Sequence, residues 1–156
     1  MKISTKGKYG LRAMIDLAQY SEQEAVSISS IAQRQKISES YLEQLVAKLK
    51  KAELVVSIRG AAGGYRLARP ASGISVGDVL RALEGDVRAV ICTAQTEEGC
   101  EGEELCVTKY VWQRINESIE KTVDEMMLDQ LVAESRKAQE KAKNHDVDYS
   151  RNSCSG

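Results

Sequence analysis

Between positions 27 and 70, the spacing of apolar and polar residues predicts two short helices and a β-hairpin. The first helix covers 29–35, and a tight connection over 36–38 leads to a second helix over 39–53. The inward positions of this second helix recur with the helical period: Leu42, Leu45, Val46 and Leu49. Two short apolar runs then flank the segment 61–64, where paired glycines allow a tight turn. Helix, turn, helix and hairpin is the order of a winged helix-turn-helix, which reads DNA.

The remainder of the chain predicts mostly helices. A first helix is expected over Thr5–Tyr20, and segment 25–28 is a candidate strand that pairs with the hairpin. The inward stripe of this first helix is expected to be Leu11, Met14, Ile15 and Ala18. Beyond the hairpin we expect a helix over 74–84 with Ser75 as N-cap.

Toward the C-terminus the pattern becomes less apolar. An extended stretch over 86–91 and an irregular one over 92–106 precede an amphipathic helix over 107–121. The capping-box sequence that starts at Thr122 predicts that another helix begins there. The polar sequence beyond 133 predicts a disordered tail.

These elements predict a mainly α fold with a small β-wing. We expect a winged helix-turn-helix over residues 1–73 and a connecting helix with a cysteine-rich segment over 74–106. A dimerisation helix and the helix after it would cover 107–132, and the tail 133–156.

The distribution of charge agrees with this division. Up to Ser75 the chain has 12 lysines and arginines against 6 acidic residues, a balance of +6. The remainder has 10 against 17, a balance of −7, so the net charge is only −1. A basic first half followed by an acidic half fits a DNA-binding module joined to a part that does not touch DNA.

Composition narrows the picture further. With no phenylalanine and one tryptophan, the core must be aliphatic. No apolar run is long enough to span a membrane, and the N-terminus lacks the apolar core of a signal peptide. The sequence therefore predicts a cytoplasmic protein without a membrane partner.

Candidate DNA contacts lie on the second helix, the hairpin and the basic start of the first helix. They are Ser38, Ser40, Tyr41, Glu43, Gln44, Lys50, Lys51, Arg59, Lys6 and Lys8. Short polar side chains can approach base edges, lysines meet phosphates, and an arginine on a thin wing suits the minor groove. Two alternatives remain open: a surface helix in which Ser40 and Glu43 form a capping box, and a basic N-terminus that is merely solvated.

The helix over 107–121 carries an apolar stripe that repeats at about 3.5 residues, the spacing of helices that pack side by side. Its candidate dimer contacts are Val111, Trp112, Ile115 and Ile119. The alternative is that this stripe packs inward on its own domain.

Three of the four cysteines, Cys92, Cys100 and Cys106, have the spacing C-x7-C-x5-C, and Cys154 lies in the tail. Cytoplasmic thiols stay reduced, which disfavours disulfides, and zinc sites usually contain C-x2-C pairs. Spread thiolates instead suit an iron–sulphur cluster. Three ordinary free cysteines are the alternative, and the five glutamates of this segment disfavour an anionic cofactor unless water reaches it.

The run ISESYLEQLVAKLKKAELVVSIRGAAGGYRL, together with the opening MKISTKGKYGLRAMIDLA and the three cysteines, resembles the winged-helix regulator family of IscR, NsrR and RirA. The resemblance covers residues 1–132 and implies a homodimer, palindromic DNA operators and control of iron–sulphur assembly, iron or redox genes. It further implies that Ser40, Glu43 and Arg59 read bases. Cys92, Cys100 and Cys106 match the ligands of a [2Fe–2S] or [4Fe–4S] cluster, for which assembly proteins are a possible source.

One position departs from this family. IscR-like members have a histidine three residues after the last cysteine, where this chain has Lys109. Lysine is a cation at neutral pH and a poor iron ligand. The only histidine, His145, and Cys154 lie in the predicted tail, so the fourth ligand stays open.

The sequence therefore predicts a transcription repressor or related regulator that senses cluster status, and not an enzyme. A cluster-free repressor controlled by a thiol or a partner protein, like the cysteine-metabolism repressor CymR, is the alternative. A small redox enzyme using Cys92 and Cys106 is a remote one, because no catalytic arrangement accompanies these residues.

Overall fold

The computed structural model describes residues 2–91 and 106–152, with side chains to residue 146. Its elements are, in chain order, α1 (Thr5–Tyr20), α2 (Ile28–Gln35), α3 (Glu39–Lys51), β1 (Val55–Ile58), β2 (Gly64–Leu67), a 3-10 turn (Ala71–Gly73), α4 (Val76–Glu84), α5 (Thr108–Glu125) and α6 (Leu128–Asn152). The mainly helical fold with a small β-wing that the sequence predicts is confirmed.

Helix α1 lies at the centre of the fold and packs against α2, α3, α4 and α6. The largest fully buried apolar side chains are Met14, Leu17, Ile31, Leu42, Leu45, Leu49, Ile74 and Leu128. The core is thus aliphatic, as the composition predicts. The inward stripe of α1 is turned slightly from the expected one, because Ala13 and Leu17 are buried while Leu11 and Ile15 are only half-buried.

Two caps define the turn between α2 and α3. Helix α2 ends at Lys36, whose left-handed conformation, φ 54°, reverses the chain. Helix α3 begins at Ser38, whose hydroxyl accepts a hydrogen bond from the Tyr41 N–H at 3.3 Å. The cap is therefore Ser38, and the alternative capping box of Ser40 and Glu43 is wrong.

The wing is an antiparallel pair in which Val55 faces Leu67 and Ile58 faces Gly64. The predicted strand 25–28 shortens to a single bridge, with backbone hydrogen bonds of 2.8 and 2.9 Å between Val26 and Tyr65. A side chain at Gly64 would collide with the backbone of Val26, so glycine lets the wing approach the start of α2.

The break between α5 and α6 lies four residues beyond the predicted one. The Thr122 hydroxyl donates to the Ser118 carbonyl, and α5 continues to Glu125, so the predicted helix start at Thr122 is wrong. The connection is hydrogen-bonded to the start of α4: the Val76 N–H donates to the Met126 carbonyl and the Leu128 N–H to the Ile74 carbonyl.

Helix α6 occupies most of the predicted disordered tail, and that prediction is wrong for residues 133–152. Leu128 and Val132 are buried in the same core as α1 to α3. Further along, Gln19 Nε2 donates to Gln139 Oε1 at 3.0 Å, which holds the polar part of α6 against α1. Among the described residues, no helix has the length and apolar character needed to cross a membrane.

Candidate nucleic-acid interface and cysteine site

Helix α3 presents a polar face opposite its buried stripe. Ser40, Glu43, Gln44, Lys50 and Lys51 are all exposed. Glu43 and Lys50 lie two turns apart on one line of this helix. Lys50 Nζ donates to the Ser57 hydroxyl of β1 at 3.0 Å, so this line faces the wing. The structure therefore brings the predicted helix residues onto one surface beside the hairpin.

The wing exposes Arg59 directly after β1, at the start of its turn. The turn is closed by a 3.0 Å hydrogen bond from the Gly63 N–H to the Gly60 carbonyl, and Gly60 has φ +117°, which favours glycine. Arg69, two residues after β2, bonds Asp78 at 3.1 Å. The exposed wing arginines are thus Arg59 and Arg66.

The basic start of α1 has a partner within the chain. Glu84 accepts hydrogen bonds at 3.0 Å from the backbone N–H groups of Ser4 and Gly7. The Ser4 hydroxyl and these N–H groups lower the pKa of Glu84. A carboxylate of the same chain therefore caps this helix. Lys6 and Lys8 remain exposed.

Lys6 also belongs to a wider basic surface. Together with Lys48 and Lys51 it lines a shallow groove between the start of α1 and the end of α3. Cations from two helices therefore lie together at this groove, and lysines are side chains that contact phosphates.

A buried carboxylate that sequence analysis missed fixes α2. The Asp16 side chain is 0% exposed and accepts from Arg34 at 2.7 and 2.9 Å and from Gln35 at 2.9 Å. These contacts raise the pKa of Arg34, whose guanidinium also stacks over the Tyr20 ring. The only sequence sign was an aspartate on the buried side of α1.

A second contact between helices supports α3. The rings of Tyr9 and Tyr41 meet edge to face with centroids 6.1 Å apart. Arg12 lies over the Tyr9 ring and donates to the Gln35 carbonyl at 2.6 Å. Tyr41 is therefore half-buried and contributes to the placement of α3.

The predicted apolar stripe of α5 is largely exposed. Val111, Trp112 and Ile115 expose 49%, 36% and 39% of their surface, and Ile119 is half-buried. Within the described chain, the alternative of inward packing does not hold for the first three of these residues. An unpartnered apolar row on a helix is typical of a surface that another chain covers.

Of the three candidate cluster ligands, Cys92 and Cys100 lie outside the described residues. Cys106 is half-buried just before α5, with its sulphur 3.1 Å from the Thr108 hydroxyl. That hydroxyl and the Lys109 N–H lower the pKa of the Cys106 thiol. Iron binds the thiolate, so this environment fits a cluster ligand. Within 2–91 and 106–152 no other potential ligands gather into a metal site.

Comparison with known proteins gives close relatives. The sequence profile of the Rrf2 family, described as an iron-dependent transcriptional regulator, matches residues 3–134. The HTH-type transcriptional regulator IscR of Yersinia enterocolitica is 42% identical over 132 residues, which cover 85% of this chain and 79% of that protein.

Solved structures point the same way. IscR of T. potens is 45% identical with a TM-score of 0.71, covering 89% of this chain and 91% of its own. CymR, the global cysteine regulator of B. subtilis, is 41% identical, also with a TM-score of 0.71, covering 85% and 97%.

Proposed function

Because the chain belongs to the Rrf2 family of transcriptional regulators, we propose that it binds a palindromic operator as a homodimer and responds to an iron–sulphur cluster. The family contains regulators and not enzymes, and DNA is the partner that the named relatives support. The observation that carries the cluster proposal is the thiolate-favouring environment of Cys106 beside the Thr108 hydroxyl, because Cys106 is the last cysteine of the C-x7-C-x5-C sequence.

The exposed face of α3 would lie in the major groove. Its short N-terminal side chains allow close approach, and Ser40, Glu43 and Gln44 can bond base edges. The wing would place Arg59 at the adjacent minor groove, and Lys6, Lys8, Lys50 and Lys51 would contact phosphates.

Replacing Glu43 by alanine is expected to relax sequence discrimination more than it weakens affinity. A glutamate accepts a hydrogen bond from a cytosine amino group and repels phosphate, so it both rewards the right site and penalises wrong ones. We expect a loss of about 1–3 kcal/mol of discrimination. A binding selection over randomised operators measures it, with Glu140→Ala removing the same charge from the exposed side of α6 as control. An unchanged ranking of operators would show that Glu43 does not read bases.

Replacing Lys51 by alanine is expected to weaken binding equally to all sequences. Each lost phosphate contact lowers the magnitude of the salt slope by about 1. Lys50→Ala should do the same, although Lys50 is bonded to Ser57 in the free protein. Binding titrations between low and high salt measure the slope, with Lys137→Ala on α6 as control. A preserved slope would remove both lysines from the phosphate contacts.

Cys92, Cys100 and Cys106 would hold the cluster, which supplies a group that responds to iron, oxygen or nitric oxide. The Thr108 hydroxyl and the N–H groups at the start of α5 would stabilise the charge on Cys106. Lys109, at the position of the histidine of IscR-like members, leaves one ligand to come from elsewhere. A site with such an incomplete protein ligand set suits a sensor.

Anaerobic purification tests this function directly. Brown protein with iron, sulphide and a Mössbauer spectrum of a cluster, and with operator affinity that changes when the cluster is lost, supports the proposal. Iron–sulphur assembly proteins would be the source of the cluster in the cell.

The second candidate function is a cluster-free regulator. The similarity to CymR, equal in TM-score to that to IscR, favours it, as does Lys109 in place of the expected histidine. Colourless protein that binds its operator with the same affinity before and after anaerobic reconstitution would support this function.

A further inference from the structure

Asn116 is the buried residue of α5, with 6% of its surface exposed. Its side chain bonds the backbone of the segment that precedes Cys92. Oδ1 accepts from the N–H groups of Ala89 and Val90 at 2.9 and 3.2 Å, and Nδ2 donates to the Val90 carbonyl at 2.8 Å. One carboxamide thus makes three hydrogen bonds to backbone groups that have no neighbouring strand to pair with.

The position of this contact in the chain gives it a role. Val90 comes two residues before Cys92, and Cys106 comes two residues before the start of α5. Asn116 lies eight residues into α5, about 12 Å along its axis. Residues 89–90, which precede the cysteine segment, are therefore attached to α5 by Asn116, and Cys106 is attached to the same helix by the peptide chain.

The other end of α5 is attached to α4, which packs against α1 and α3. Arg81 of α4 donates to both carboxylate oxygens of Asp124 at 2.7 and 2.8 Å. A side chain at Gly77 would collide with Asp124, so glycine permits this approach. A shift of α5 at Asn116 would consequently be felt at α4 and, through the packing of α4 on α1 and α3, at the recognition helix.

We propose that Asn116 is a positioning residue that couples the state of the cysteine segment to helix α5 and, through it, to DNA binding. The coupling to a cluster rests on the function proposed above. Because of the three hydrogen bonds, a movement of residues 89–90 would also displace α5. The ion pair of Asp124 with Arg81 would transmit this displacement to α4.

The test compares operator affinity with and without the cluster for the wild-type protein and Asn116→Ala. The wild-type ratio of the two dissociation constants should differ from one, and the variant's ratio should fall to within twofold of one. Cluster content and dimer formation are measured in the same samples. Gln113→Ala, which removes an exposed carboxamide from the same helix, should keep the wild-type ratio.

A second measurement, which does not need the cluster, accompanies the comparison of operator affinities. In the cluster-free protein, the Ala89 and Val90 amides should exchange with solvent at least tenfold faster in Asn116→Ala than in Gln113→Ala, because they lose their acceptor. Asn116→Asp keeps the acceptor and loses the donor, and it serves if the alanine variant fails to fold. Asn116→Asp should retain slow exchange of the Ala89 and Val90 amides but bring the ratio of the two dissociation constants closer to one.

The outcomes separate the two proposals. A variant that keeps both its cluster and the wild-type ratio overturns the coupling role and leaves the proposed function standing. Unchanged amide exchange in Asn116→Ala also overturns it. A wild-type protein that takes up no cluster overturns the proposed function, and the coupling with it.

Discussion

Replacing Ile115 by glutamate is expected to yield monomers and to abolish binding to a palindromic operator. Ile115 lies one helical turn after Val111 and Trp112 on α5. The three residues form an apolar row that the single chain leaves exposed. In a dimer two such charges would be buried among the apolar neighbours Val111, Trp112 and Ile119, which costs several kcal/mol, and about 4 kcal/mol already weakens a dimer a thousandfold. Sedimentation at micromolar concentration measures the state of assembly.

Loss of DNA binding follows from geometry, because two half-sites need two linked recognition helices. Gln113→Glu introduces the same charge on the same helix outside the apolar row and should leave both properties unchanged. If Ile115→Glu sediments as a dimer, the two chains meet at another surface.

Removal of Cys92, Cys100 or Cys106 is expected to abolish the visible absorbance of the reconstituted protein. A cluster held by three protein thiolates does not retain its ligand set with two, and water replaces a thiolate poorly. Iron and sulphide counts after anaerobic reconstitution of each alanine variant measure the loss. Circular dichroism separates a lost cluster from a lost fold.

Cys154→Ala and His145→Ala are the matched controls, and both should keep the wild-type spectrum. His145 lies exposed on α6, a helix that packs on α1. It therefore belongs to an ordered helix and not to a disordered tail. Loss of absorbance in Cys154→Ala would show that the C-terminus supplies the missing ligand. A coloured Cys106→Ala variant would show that the cysteines are not the ligand set.

The helix-turn-helix could be predicted because its signals are local. The apolar stripe of α3 and the Ser38 cap lie within a few residues of each other, and periodicity detects such patterns. The wing followed from Gly63–Gly64 and the alternation around them. These predictions hold in the structure at the level of elements, and the ends of α3, α4 and α5 shift by a few residues.

The polar contacts between distant segments could not be predicted in this way. Glu84 caps a helix 77 residues earlier, and Asn116 bonds a backbone 26 residues away. Neither residue has a local partner that would distinguish it from a solvated side chain. Asp16 and Asn116 share one clue, which is a polar residue on the inward side of an amphipathic helix.

Helix α6 was missed for a different reason. Only its first turns carry an apolar stripe, with Leu128 and Val132 buried, and residues 133–146 are polar or alanine. Periodicity cannot detect such a helix. Contacts with α1, such as that of Ser135 with Gln19 at 3.1 Å, hold it instead.

The place of α6 in the core has a consequence for how the protein is made. Leu128 and Val132 pack in the same apolar cluster as Met14, Leu17 and Leu45, and Gln139 bonds Gln19 from 120 residues later in the chain. A ribosome that has finished the wing has not yet made the side chains that close this core. The growing chain should therefore remain unable to close the core around α1 until α6 has left the exit tunnel.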